Sequence, residues 1–219
     1  MKILICGDSY CVTDPKFPDL HWSEKILDND PNFEVLNLAY GGCSNAMINL
    51  QLLQGLKLNP DFVIISFTTD GRYEIDKNIS ALPKELSAQE LSNYHYARYT
   101  TNNYQIDTDI KKTIEKYKLT ASSQNFERLK NYFYISFCLT TLTIKNIPFC
   151  FSLGGFEFNQ DYTNFINSNY IENFIVNYSQ NQLSTNLWYH GQKTSPYFHV
   201  DDDKVQTLFA NECLYRIRK

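Results

Sequence analysis

No two of the six cysteines form a Cys-x-x-Cys pair, and Cys6, Cys138 and Cys150 lie inside apolar runs. They read as small core residues with reduced thiols, not as a disulfide framework. Basic residues never exceed two in a row. Twenty Lys and Arg against 24 Asp and Glu leave a formal charge of −4, so a nucleic-acid surface is not expected. Long apolar runs are also missing. The longest nearly apolar stretch, Tyr132 to Ile144, is too short for a bilayer and carries Ser136, Thr140, Thr141 and Thr143. A strand pattern starting at Lys2 leaves no room for a secretory leader, and the expectation is a cytoplasmic chain. Histidine is scarce, and none of His21, His95 and His190 is spaced to join His199 as a metal ligand. Neither a metal nor a cofactor is expected.

Alternating strand and helix patterns fill the chain. Apolar runs predict strands over Lys2–Cys6, Phe33–Leu38, Asp61–Ser66 and Pro148–Leu153. Between and after them the spacing predicts helices over Leu20–Leu27, Ser44–Leu56, Asn125–Ile144 and Asp202–Ile217. The run Phe62-Val63-Ile64-Ile65 suits a strand covered on both faces. Such alternation predicts α/β architecture: a parallel sheet inside a three-layer αβα sandwich. A length of 219 residues suits one domain spanning the whole chain. Two stretches interrupt the pattern. Residues 71–123 form a long insertion, read as a cap beside the site with a helix near Lys111–Lys118. Residues 159–195 return the chain to His199 and carry a helical piece near Asn169–Tyr178.

Chemistry concentrates where the strands end. Gly7-Asp8-Ser9-Tyr10 follows the first apolar run and places a serine at the carboxyl edge of a sheet, where open α/β proteins build sites. Gly41-Gly42 follows the second strand and precedes a helix start at Ser44. His199 stands just ahead of the last helix. A serine hydroxyl needs a neighbouring base before it attacks, and an imidazole is suited to that exchange near neutral pH. The plainer alternatives are a Ser/Asp turn at Ser9 and a helix flank at His199.

Four blocks in order resemble those of the SGNH (GDSL-like) hydrolase superfamily: Gly7-Asp8-Ser9-Tyr10, the stretch Asn37 to Ser44, the stretch Pro60 to Asp70, and Phe198-His199-Val200. The resemblance implies a flavodoxin-like sheet, with Ser9 as nucleophile and His199 as base. It implies oxyanion donors at Ser9, Gly42 and position 69. Two departures stand out. Phe67 and Thr69 occupy the family's glycine and asparagine positions, and Pro196 replaces the aspartate that orients the histidine. Asp201, Asp202 and Asp203 read foremost as a helix-start cluster. Arg72 and Glu74 are two apart, and read either as binders of a polar substrate group at the site rim or as a salt bridge anchoring the insertion. Tyr73, Tyr94, Tyr96, Tyr99 and Tyr104 read as cap packing or as cleft lining. Two functions follow. One is a serine esterase or deacylase acting on a small ester or an acylated sugar. The other is an SGNH-like binding or assembly protein without hydrolytic activity.

Overall fold

The computed structural model describes residues 1–13, 18–69, 72–75, 95–98, 124–154, 178–194 and 202–219. Strand β1 (Lys2–Gly7) pairs in parallel with β2 (Glu34–Asn37) on one side and β3 (Phe62–Ser66) on the other. Strand β6 (Phe149–Ser152) adds to β3, giving the order β2-β1-β3-β6. The flavodoxin-like order agrees with the sequence expectation and puts β1 between β2 and β3.

Side chains alternate across each strand, and both faces of this sheet are apolar. From β1, Ile3 and Ile5 enter one core with Trp22 of α1 (Trp22–Asn29) and Phe209 and Cys213 of the C-terminal helix, Asp203–Ile217. Leu4 and Cys6 enter the other, with Ile48 and Leu52 of α2 (Asn45–Leu56) and Leu139 and Leu142 of α3 (Gln124–Ile144). A helix pair therefore covers each face, and the three-layer sandwich is complete. Gly55 of α2 lies directly on Leu4, where a side chain would overlap the leucine. This close approach sets the helix-to-sheet distance.

Helix starts follow their caps. Ser44 Oγ accepts the Ala46 N–H at 3.0 Å, so α2 begins at Asn45. The first helix starts later than its charge-broken pattern predicts. Pro18–Leu20 forms a separate 3-10 turn, His21 caps, and Trp22 and Ile26 are buried four residues apart. Three elements had no clear signal. Strands β4 (Arg72–Ile75) and β5 (His95–Arg98) pair antiparallel within the insertion, and α4 (Leu187–Thr194) lies in the returning stretch. The C-terminal helix is α5. The helix expected at residues 111–118, nearly all of that expected at 169–178, and the cap's placement fall outside the described residues.

All six cysteines are buried and free. Burial pushes the thiols of Cys6, Cys11, Cys138 and Cys213 well up, so they stay protonated. Among the described residues, no helix is long and apolar enough to cross a membrane.

Glu212 of α5 holds the entry to α4. Its Oε1 accepts from the Ser184 N–H at 2.6 Å, and its Oε2 from the Thr185 N–H at 3.0 Å. Burial acts to raise this carboxyl, but the hydrogen bonds from Ser184 and Thr185 prevail and hold it below the usual range. A lowered folded value means stability that is present above the unfolded value and lost as pH falls through the folded one. Glu212→Gln should cost about 1 kcal/mol at pH 7, the size of a charged hydrogen bond discounted for solvent. Urea unfolding should show the gap closing as pH falls below the ordinary carboxylate range, where the wild-type carboxyl protonates.

Candidate active site

Strand β1 ends at Gly7, and Asp8 caps a one-turn 3-10 segment, Ser9–Cys11, by accepting the Tyr10 N–H at 3.0 Å. Ser9 is buried at 8 % exposure, and its Oγ has no hydrogen-bond partner among the described residues. An unpaired buried hydroxyl costs about 1–3 kcal/mol, so its retention needs a reason.

The Gly41-Gly42 loop wraps onto the same point. Tyr40 N–H and Cys43 Sγ, on either side of the glycines, both donate to the Gly7 carbonyl, at 3.1 and 3.3 Å. Gly41 faces Ser9, since a side-chain carbon there would sit 3.7 Å from Ser9 Cβ. Gly42 takes φ +84°, a left-handed conformation that glycine adopts without strain.

The end of β3 closes the third side. Thr68 is fully buried and its hydroxyl donates to Asp8 Oδ2 at 2.9 Å. Thr69, next in the chain, is half-buried. Beneath Asp8 lies Arg72, whose Nη1 is 3.0 Å from Asp8 Oδ2 and donates to the Cys43 carbonyl at 3.0 Å. Its guanidinium stacks over Trp188, 5.3 Å from the ring centroid, and Trp188 meets Tyr10 edge-on.

Arg72 therefore differs from one of its sequence readings. Both it and Asp8 have side chains only 1 % exposed, so Arg72 lies in the interior and not on the rim. Its ion-pair partner is Asp8. Glu74 shares β4, two residues on. Asp8 braces the turn after β1 by accepting the Tyr10 N–H. His199, Pro196 and Asp201 lie outside the described residues. Of the neighbouring aspartates, Asp202 caps α5 through the Lys204 N–H at 2.9 Å, and Asp203 pairs with Lys25 at 2.6 Å. The helix-start reading accounts for both.

Two residues that the motifs did not single out also hold this site. Gln51 engages the Gly7 peptide on both sides, accepting its N–H at 2.8 Å and donating to its carbonyl at 3.2 Å. Asn45 does the same for the Thr68 peptide, at 2.8 and 2.9 Å, and donates to Asn131. Helix α2 thus grips the ends of β1 and β3 through two buried amides. Their only sequence signal is polarity on a largely apolar helix, a mark they share with Asn49.

No family model matches the chain, and no curated protein matches it in sequence. Solved structures do match its fold. An acetyl xylan esterase, AlAXEase, aligns at TM-score 0.53 and 13 % identity, over 99 % of this chain and all of that one. The psychrotrophic esterase EstA from Pseudoalteromonas sp., in a structure inhibited by monoethylphosphonate, aligns at TM-score 0.52 and 13 % identity, over 99 % and 96 % of the two chains. TesA aligns at TM-score 0.50 and 12 % identity, over 100 % and 98 %. At such low identity the match speaks for architecture. Together with the sheet order, it shows that this chain has the SGNH (GDSL-like) hydrolase fold.

Proposed function

We propose that the chain is a serine esterase or deacylase that works through an acyl-enzyme on Ser9, with His199 as its base. The observation that carries this is the buried Ser9 hydroxyl at the carboxyl end of β1, against Gly41 and without a hydrogen-bond partner among the described residues. A hydroxyl in a plain turn would bond to its own backbone. Ser9 Oγ does not, which suits a group that arrives from elsewhere.

In the proposed reaction, Ser9 Oγ attacks the ester carbonyl while His199 takes its proton. The tetrahedral oxyanion is met by the backbone N–H groups of Ser9 and Gly42 and by the Thr69 hydroxyl. The imidazolium returns the proton to the leaving alcohol, and water then releases the acyl group by the same steps. No cofactor enters this sequence. The substrate class is a small ester or an acylated sugar, in keeping with two structural neighbours, an acetyl xylan esterase and an esterase. Glu74 remains the candidate for contact with its polar part. A binding or assembly role is the second reading, favoured by Thr69 and Pro196 where the family carries asparagine and aspartate.

Hydrolysis of p-nitrophenyl acetate by the purified chain separates the two. Slow but saturable turnover that Ser9→Ala removes supports the esterase, and turnover equal to the buffer rate favours the binding protein. Asp202 and Asp203 already have structural duties, so Asp201→Asn should leave kcat within about twofold. Its cost should be about 0.5–1 kcal/mol of stability through weakened helix-start electrostatics. A thousandfold loss of rate with the fold intact would instead make Asp201 the residue that orients His199.

A further inference from the structure

The geometry points to Arg72 as a positioning residue that sets the spacing of the oxyanion donors, a role that rests on the hydrolase reading above. Each candidate donor stands one residue from a member of a single buried cluster. Ser9 follows Asp8, Gly42 precedes Cys43, and Thr69 follows Thr68. Asp8 Oδ2 takes the Thr68 hydroxyl at 2.9 Å and Arg72 Nη1 at 3.0 Å, and the same Nη1 reaches the Cys43 carbonyl at 3.0 Å. One guanidinium nitrogen therefore ties the Asp8 and Cys43 loops together, and the Asp8 carboxylate carries the link on to Thr68.

Arginine suits this task. Its charge is permanent, its plane is rigid, and stacking on Trp188 limits its rotation. Stability alone is a poor reason for keeping it, because a buried ion pair is often no better than a well-packed apolar pair. Moreover, Arg72 Nε and Nη2 are buried without hydrogen-bond partners among the described residues. Unsatisfied donors of this kind persist mostly where a site needs a particular arrangement. Oxyanion stabilisation has such a need, since the donors must meet the charge that develops in the transition state. Loosening the clamp should lower kcat and leave KM nearly unchanged, because the ground-state ester does not use these contacts fully.

The test is steady-state hydrolysis of p-nitrophenyl acetate by wild type and by the double variant Asp8→Asn/Arg72→Met, which removes both charges together. The expected result is a cooperative unfolding transition, kcat lower by about 100-fold, and KM within about threefold, as for a small misplacement of reacting groups. A folded double variant whose kcat stays within about threefold of wild type, or whose loss lies in KM alone, overturns the clamp and leaves the hydrolase reading standing. Wild type without turnover dependent on Ser9 overturns the hydrolase reading, and the clamp with it. Should the double variant not fold, Arg72→Lys decides, since it keeps the charge but is shorter and lacks the planar fork. A fall in kcat of about tenfold at unchanged KM supports the clamp, and kcat within about twofold overturns it.

Discussion

Asp8→Ala should be among the most destabilising single changes in this chain, at about 3–5 kcal/mol, because it leaves a buried charge without its partner. Arg72 would keep its guanidinium in an interior site that is 1 % exposed. The Thr68 hydroxyl and the Tyr10 N–H would lose their acceptor as well. Against a total stability of about 5–15 kcal/mol, that is a large fraction. For a chain of this size, it should lower Tm by roughly 6–20 °C. Adding Arg72→Met to Asp8→Ala should recover much of the loss, since the lone charge then goes too. Thermal unfolding of wild type and the two variants checks this. An Asp8→Ala protein within about 1 kcal/mol of wild type would mean that the pair is not isolated from water as described.

The second large effect concerns rate. Ser9→Ala and His199→Ala should each remove nearly all ester hydrolysis, by about a thousandfold or more, and combining them should cost little further. The two act as one unit: a serine without its base is inert, and a base without its nucleophile has nothing to activate. With Pro196 where an orienting aspartate is expected, the wild-type rate itself should be modest. His199 is then to be held by a backbone carbonyl or by water. Single-turnover rates for both single variants and the double variant measure this directly. Full activity in Ser9→Ala would remove the mechanism.

Much of the architecture was readable because it depends on local signals. Ile3-Leu4-Ile5-Cys6 and Phe62-Val63-Ile64-Ile65 are unbroken apolar runs, and strands buried on both faces leave that mark. The start of α2 was readable from Ser44, whose hydroxyl caps it. What escaped depends on partners distant in sequence. Arg72 looked like a rim residue because a charged side chain just past a strand end is usually solvated. Its partner, Asp8, lies on a different strand end, and no periodicity links the two. Gln51 and Asn45 were hidden for the same reason, since an amide that binds a neighbouring peptide looks like any polar residue on a helix. The antiparallel pair β4–β5 and the short α4 were missed because both are brief and mixed in polarity.

The central claim is that Ser9 is an activated nucleophile, and labelling with a fluorophosphonate tests it most directly. The reagent phosphonylates a serine that a base has activated, and leaves idle hydroxyls alone. The expected result is one adduct per chain by intact mass, located by peptide mapping at Ser9, and absent from both Ser9→Ala and His199→Ala. A folded wild-type protein that remains unlabelled, or an adduct that persists in Ser9→Ala, would contradict it.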